Sequence, residues 1–427
     1  MDRQYRQLAS GVELLATQTS QFKTGLFTVT LTVPLREENA TANALIPDVL
    51  YRGSRKHPDI ASLSAAADSL YGAALGVGVR QRGESQCVCL RCGFIDDRYA
   101  LDGIAVLEPA IELVGEILLD PATENGVFRQ DYVSSEEANL ADRIRSRVND
   151  KMGWSTHRLI SEMCAGEAYA VDKLGSAAQA QAMTAGELWG RYRSLLAEAR
   201  VVFCYNGSAP ADRVEAAVRR VFAPLMTDRQ TVTDCLVLAE PKGAVRQVTD
   251  VMDVTQGKLA MGFRTGGITM GDERLPALLV CNALYGGTAH SKLFMNVRER
   301  MSLCYFASSL VDKLKGLMVV ISGVEPANFD KAREEILVQL DAVRRGDFMQ
   351  EELTAAVQAV LNRLISCQDS QGQMEDDDVT SLLALGRPSD REELIRSVEQ
   401  VTAEQVAQAA CQLKLDTVYY LTGKEDG

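Results

Sequence analysis

The chain repeats itself, and an internal repeat constrains a fold more tightly than any single motif does. "ALIPDVLYRG" at 44–53 is echoed by "LLVCNALYGG" at 278–287, which pairs Leu50-Tyr51 with Leu284-Tyr285 and Gly53 with Gly287. Upstream, "TGLFTVTLTV" at 24–33 falls on "KLAMGFRTGG" at 258–267, so each half opens with a strand-like run, then a polar acidic turn, then an apolar helix. The ends match as well. "MTAGEL" at 183–188 and "VTAEQV" at 401–406 each place Thr three residues before Glu or Gln, the start of a capping box. Each is followed by a β-rich run closing on glycine, "RVVFCYNG" at 200–207 and "DTVYYLTG" at 416–423.

A length of 427 residues alone suggests about three domains, and the repeat lowers that to two, a first half at 1–228 and a second at 245–427. Between the landmarks of the first half, Leu75, Val77 and Val79 alternate, "RGES" turns, and residues 86–94 return, which reads as a hairpin. Ile104, Leu107, Ile111, Val114 and Leu118 keep the spacing of an amphipathic helix ending near "LLDP", and a second long helix is expected from about Ser135 to Met163. The stretch 227–247 reads as a connector, and "EDDD" at 375–378 as a solvated loop or helix end. Each half is therefore α+β, a mixed sheet with helices on one side. Two tandem homologous halves of this kind can face each other as a clamshell and hold an extended peptide.

A net charge of −13 repels phosphate backbones and anionic lipid, so neither nucleic acid nor membrane is an expected partner. The opening "MDRQYRQLASGVELL" lacks the apolar core of a signal peptide, and no run approaches the ~20 apolar residues of a spanning helix, which points to the cytoplasm. Ten cysteines lie scattered, mostly in apolar stretches, as buried thiols of a reducing compartment do. In "CVCLRC", strand alternation puts Cys87 and Cys89 on one face and Cys92 on the other, a poor arrangement for a metal.

These features together resemble the pitrilysin/insulinase-type zinc peptidases, whose fold is that of the metalloenzyme LuxS/peptidase-like group. The strongest local match is "GGTAHSKLFMNVRERMSLCYFASS" at 286–309, similar to the family's second-half signature of a glycine pair, a Ser-x-Leu-Phe helix start, and an Arg and a Tyr seven apart, here Arg298 and Tyr305. In active members the first-half helix carries H-x-x-E-H. Its two His on one helix face bind zinc, and the Glu takes a proton from the metal-bound water. The resemblance places Ala44, Pro47 and Asp48 where His, Glu and His belong. Two ligands and the base are missing.

His57, His157 and His290 are too far apart in sequence to replace them and read as surface or satisfied core histidines. "EEANL" at 136–140 resembles the region that gives the distant glutamate ligand, but without a histidine pair Glu136 and Glu137 read as exposed helix carboxylates. Pro47 inside the helix removes a hydrogen bond, at a cost of ~3 kcal/mol outside the first turn, as befits a helix released from aiming ligands. No metal and no cofactor are expected.

In two-chain members, the resemblance implies, one chain supplies the zinc motif while its partner supplies Arg and Tyr. A guanidinium offers a fork of donors to a carbonyl, and a phenol can donate to the oxyanion. On the residues alone, "VRER" also reads as a solvated helix face and Tyr305 as a strand residue of a core. Residues 134–175 are similar to a bacterial subgroup of non-catalytic members labelled as associated with 5-aminopentanol modification of elongation factor P, an association that gives no mechanism. The expectation is thus an inactive homologue that binds peptide beside a catalytic partner bearing the intact motif. A non-enzymatic, possibly homodimeric scaffold is the alternative. A self-sufficient hydrolase is disfavoured, since neither G-x-S-x-G nor a family-spaced Cys/His arrangement occurs.

Overall fold

The computed structural model describes residues 1–229, 235–241 and 243–423; residues 230–234 and 242 of the 227–247 connector lie outside the described residues. In chain order the strands are β1 (Asp2–Ala9), β2 (Val12–Gln18), β3 (Thr24–Pro34), β4 (Ala74–Arg82), β5 (Ser85–Ile95), the short β6 (Thr123–Glu124) and β7 (Val127–Phe128), β8 (Arg200–Gly207), β9 (Arg246–Val251), β10 (Gly257–Arg264), β11 (Cys304–Asp312), β12 (Leu317–Val324) and β13 (Lys414–Thr422). The helices are α1 (Glu37–Leu50), α2 (Ile60–Ser69), α3 (Leu107–Leu119), α4 (Gln130–Ser146), α5 (Lys151–Met163), α6 (Ala177–Gln181), α7 (Ala185–Glu198), α8 (Ala211–Val221), α9 (Leu275–Asn282), α10 (Phe329–Arg344), α11 (Gln350–Ser366), α12 (Gln371–Leu385), α13 (Arg391–Glu399) and α14 (Ala403–Gln412). Among the described residues, no helix is long and apolar enough to cross a membrane.

Period-two patterning builds the sheets. β3 sends Phe27, Val29, Leu31 and Val33 into the core and leaves Thr28, Thr30 and Thr32 on the other face. It lies inside a six-stranded sheet ordered β1-β2-β8-β3-β5-β4, with β2 and β8 parallel. The second sheet is ordered β11-β12-β10-β13-β9, with β13 and β9 parallel. In both, the opening strand of the repeat runs antiparallel to the closing one, β3 against β8 and β10 against β13. The repeated landmarks are thus the same places in two copies of one plan. Both capping boxes form, Thr184 with Glu187 and Thr402 with Gln405. On β5, Cys87 and Cys89 share a face beside Thr32 and Thr30, while Cys92 enters the core.

Several sequence expectations need correction. The helix read from Ile104 starts at Leu107, because the Asp97 carboxylate accepts the N–H groups of Val106 and Leu107 at 2.8 and 3.2 Å and fixes its start. The long helix read from Ser135 to Met163 is broken. α4 ends at Ser146, a 3₁₀ turn follows over Arg147–Asn149, and Asp150 caps α5 by accepting from the Gly153 N–H at 3.0 Å.

The break separates two compact units that are discontinuous in sequence. One comprises Met1–Arg145, Val171–Cys235 and Ser370–Pro388; the other comprises Ser146–Ala170, Leu236–Asp369 and Ser389–Gly427. Sequence halves and spatial units are different divisions, since each unit takes in a segment from the other half.

In the first unit the main core lies between the sheet and α1, α3, α7 and α8. The opposite face is covered too, by α12 against β8 and β3, so helices are not confined to one side. In the second unit α5 lies on β10, β12 and β13. The "EDDD" run is no solvated loop: it sits within α12, with Glu375 3% and Asp378 2% exposed.

Candidate functional site

The segment that resembles a zinc-binding helix is built for packing. Ala44 is 1% exposed and belongs to the main core of the first unit. Pro47 falls in the last turn of α1, outside the first turn in which a missing N–H costs nothing, so the helix gives up one internal hydrogen bond there. The chain runs on to Leu50, and the Tyr51 N–H reaches the Pro47 carbonyl at 3.1 Å. Asp48 is held by a guanidinium, with Arg143 Nη2 donating to Asp48 Oδ2 at 2.7 Å. Burial raises the Asp48 carboxyl above its ordinary range; Arg143 opposes this and the nearby charge of Glu136 adds to it.

Glu136 is not the exposed carboxylate expected from sequence. It is 9% exposed and accepts from Arg52 Nη1 at 3.2 Å and from Asn139 Nδ2 at 3.0 Å. Glu137 is partly buried, and burial raises its pKa. The sequence reading missed Arg52 and Arg143. No local signal marked either one, because each reaches across the fold, Arg143 to Asp48 and Arg52 to Glu136. Zinc needs nitrogen, sulfur or free carboxylate donors at these positions. Ala44 and Pro47 offer none, and Asp48 and Glu136 are engaged by arginines. Among the described residues, no group of three or more His, Cys, Asp and Glu is placed to hold a metal ion. The residues present do not fit the zinc that the resemblance implies.

The histidines are accounted for separately. His57 Nδ1 lies 2.7 Å from Glu116 Oε1, which also accepts from the Ser54 hydroxyl, and the His57 backbone N–H donates to Ser54 Oγ at 2.8 Å. This pins the loop after α1. His157 lies beside the Trp154 ring, and His290 is exposed.

The Arg and Tyr of the second-half signature sit in the other unit, on elements packed against each other. A π-helical segment spans Leu293–Arg300 and packs on β11. Ser302, in a left-handed turn at φ 51°, reverses the chain between them, with its N–H on the Arg298 carbonyl at 3.1 Å. The Arg298 guanidinium stacks 4.5 Å from the Phe294 ring centre and lies 3.5 Å from Glu299 Oε1. Its side chain is 40% exposed. Tyr305 is 66% exposed, and its hydroxyl meets Glu325 Oε1 at 3.5 Å. Neither side chain is consumed by the core.

The glycine pair of the signature has a packing role. A Cβ on Gly286 would lie 2.7 Å from Leu293 Cδ1 and 2.8 Å from the Ser309 backbone nitrogen, so only glycine lets this helix end approach β11.

Comparison with known proteins bears on this arrangement. Residues 182–360 match a family model described as the peptidase M16 inactive domain. A Bacillus subtilis protein named probable inactive metalloprotease YmfF is 33% identical over 409 residues, covering 96% of this chain and 95% of that one. The crystal structure of a conserved protein from Enterococcus faecalis V583 is similar over 100% of both chains, with 26% identity and a TM-score of 0.92. A peptidase M16 inactive domain from Pseudomonas fluorescens shares the fold over 99% of both chains, with 18% identity and a TM-score of 0.80.

Proposed function

Because this chain belongs to the M16 family, the pitrilysin/insulinase-type peptidases, and is an inactive homologue within it, we propose that it is the non-catalytic, peptide-binding subunit of a two-chain zinc peptidase. A partner with an intact H-x-x-E-H helix supplies the metal and its activated water. This chain supplies Arg298 and Tyr305 to the bound peptide. The observation that carries the reading is the contrast in exposure between the two remnants. The zinc-helix positions are packed or ion-paired, whereas Arg298 and Tyr305 stay exposed on adjoining elements. A fork of N–H donors and a phenol suit a peptide carbonyl and the oxyanion formed when water attacks it.

The test is reconstitution. The chain is purified alone and together with an M16 homologue from the same host that bears the zinc motif, and peptide hydrolysis is measured for each and for the mixture. Activity confined to the mixture supports the reading. Tyr305→Phe in the complex is expected to lower kcat by roughly 10²-fold without dissociating the subunits. Full activity of the partner alone, unchanged on adding this chain, would sink it.

A further inference from the structure

The acidic helix that crosses from the second sequence half into the first unit is seated unlike its counterpart. α5 rests on an apolar face: Leu159 is fully buried with Ala260, Val319, Tyr419 and Leu421. Met163 fills the space left by Gly262, its sulfur 2.5 Å from where a Cβ would stand. α12 is held by buried charge as well as by apolar side chains. Arg80 reaches Glu375 at 2.9 Å and Asp376 at 3.2 Å, Arg82 also pairs with Asp376, and Arg3 pairs with Asp378. Arg200, itself held by Glu13 at 2.7 Å, donates to the Leu382 carbonyl at 3.2 Å. Gln371 bonds to Thr24 and to the Asn206 carbonyl, each at 2.8 Å. The buried apolar side chains of α12, Met374, Val379, Leu382 and Leu383, stand outside the main core of the unit.

A second observation concerns the sheet beneath. Thr17 Oγ1, Thr28 Oγ1 and Asn206 Oδ1 are buried without a hydrogen-bond partner on the neighbouring strands β2, β3 and β8, with Thr17 directly opposite Asn206. Each such orphan costs ~1–3 kcal/mol, a penalty relieved when water enters. Buried ion pairs likewise regain hydration on separation, which offsets much of the attraction lost. The helix ends in turns, a 3₁₀ turn at Cys367–Asp369 before it and Gly386 at φ 67° after it. Cys204 lies under the helix, its thiol raised by burial and then by Asp378 and Glu375, and Cys87 lies near Glu375.

We propose that α12 is a detachable strap of the first unit: it opens and recloses while the rest of the unit stays folded, and opening bares the sheet face that carries Cys87 and Cys204.

Thiol labelling of the full chain under native conditions, read by mass spectrometry, tests this. Cys87, Cys204, Cys92 and Cys281 are all 1% exposed or less, but only the first two lie beneath α12. Labelling of Cys87 and Cys204 is expected at least tenfold faster than of Cys92 and Cys281, and Glu375→Gln with Asp378→Asn is expected to widen the gap about tenfold further. A single common rate for all four thiols would overturn the proposal. If that variant does not fold, hydrogen exchange of the unaltered chain decides. Exchange at 371–385 at least tenfold faster than at 185–198 of the same unit supports the strap, and equal protection refutes it.

Discussion

Asp48 and Glu136 are carboxylates that arginines hold. Arg143 pairs with Asp48 and Arg52 with Glu136, and Ala44 belongs to the core. Restoring one ligand therefore restores nothing. Ala44→His forces an imidazole into a filled core, with an expected loss of about 1–3 kcal/mol by chemical denaturation and no stoichiometric zinc by metal analysis. The loss of the motif was legible in the sequence, because missing histidines can be seen. The arginines were not, because Asp48 and Arg143 are 95 residues apart and only the fold joins them.

A second residue-scale prediction concerns Glu167. Burial would raise its carboxyl, but hydrogen bonds from Arg264 and Lys315, each at 2.7 Å, outweigh burial and hold it below the ordinary range. A depressed carboxyl contributes stability above its unfolded value, ~4.3, and that stability is lost as pH falls through the lower folded value. Glu167→Gln removes the carboxylate that Arg264 and Lys315 share, leaving Arg264 with Asp416 and Lys315 with the Val237 carbonyl, and is expected to destabilise by about 1–3 kcal/mol at neutral pH. Urea melts across pH 3–7 should show less acid dependence in the variant than in the parent.

At the scale of elements, local chemistry was readable and long-range burial was not. Capping boxes are written within four residues, so Thr184 and Thr402 could be placed before any fold was known. Thr184→Ala and Thr402→Ala are each expected to cost about 1 kcal/mol, measured as a shifted denaturation midpoint with unchanged slope. The paired strands were also legible, since β3 alternates on its own. The acidic run of α12 misled because its partners Arg3, Arg80 and Arg82 lie some three hundred residues earlier. Four acids in a row look solvated until a basic sheet face is set against them. The break between α4 and α5 was hidden for a related reason. The turn at Arg147–Asn149 holds neither glycine nor proline, and Asp150 shows itself as a cap only once α5 is seen to start there.

At the scale of the whole molecule, the repeat carried the fold class, two mixed sheets each pairing an opening with a closing strand. It could not reveal that each unit takes a helix from the other half, because sequence similarity aligns segments without saying which sheet they cover. The proposed role of Arg298 and Tyr305 came only from family resemblance; "VRER" and a tyrosine between Cys304 and Phe306 carry no signal of their own. The proposed function rests on the contrast between Ala44, Asp48 and Glu136, which are packed or ion-paired, and Arg298 and Tyr305, which keep solvent access. The most direct measurement is peptide hydrolysis by the purified chain, with and without added zinc and with a chelator. The expected result is no metal-dependent turnover from the chain by itself, and turnover in the mixture with a zinc-motif homologue that falls on Arg298→Ala. Hydrolysis by the chain alone, abolished by the chelator and restored by zinc, would contradict it.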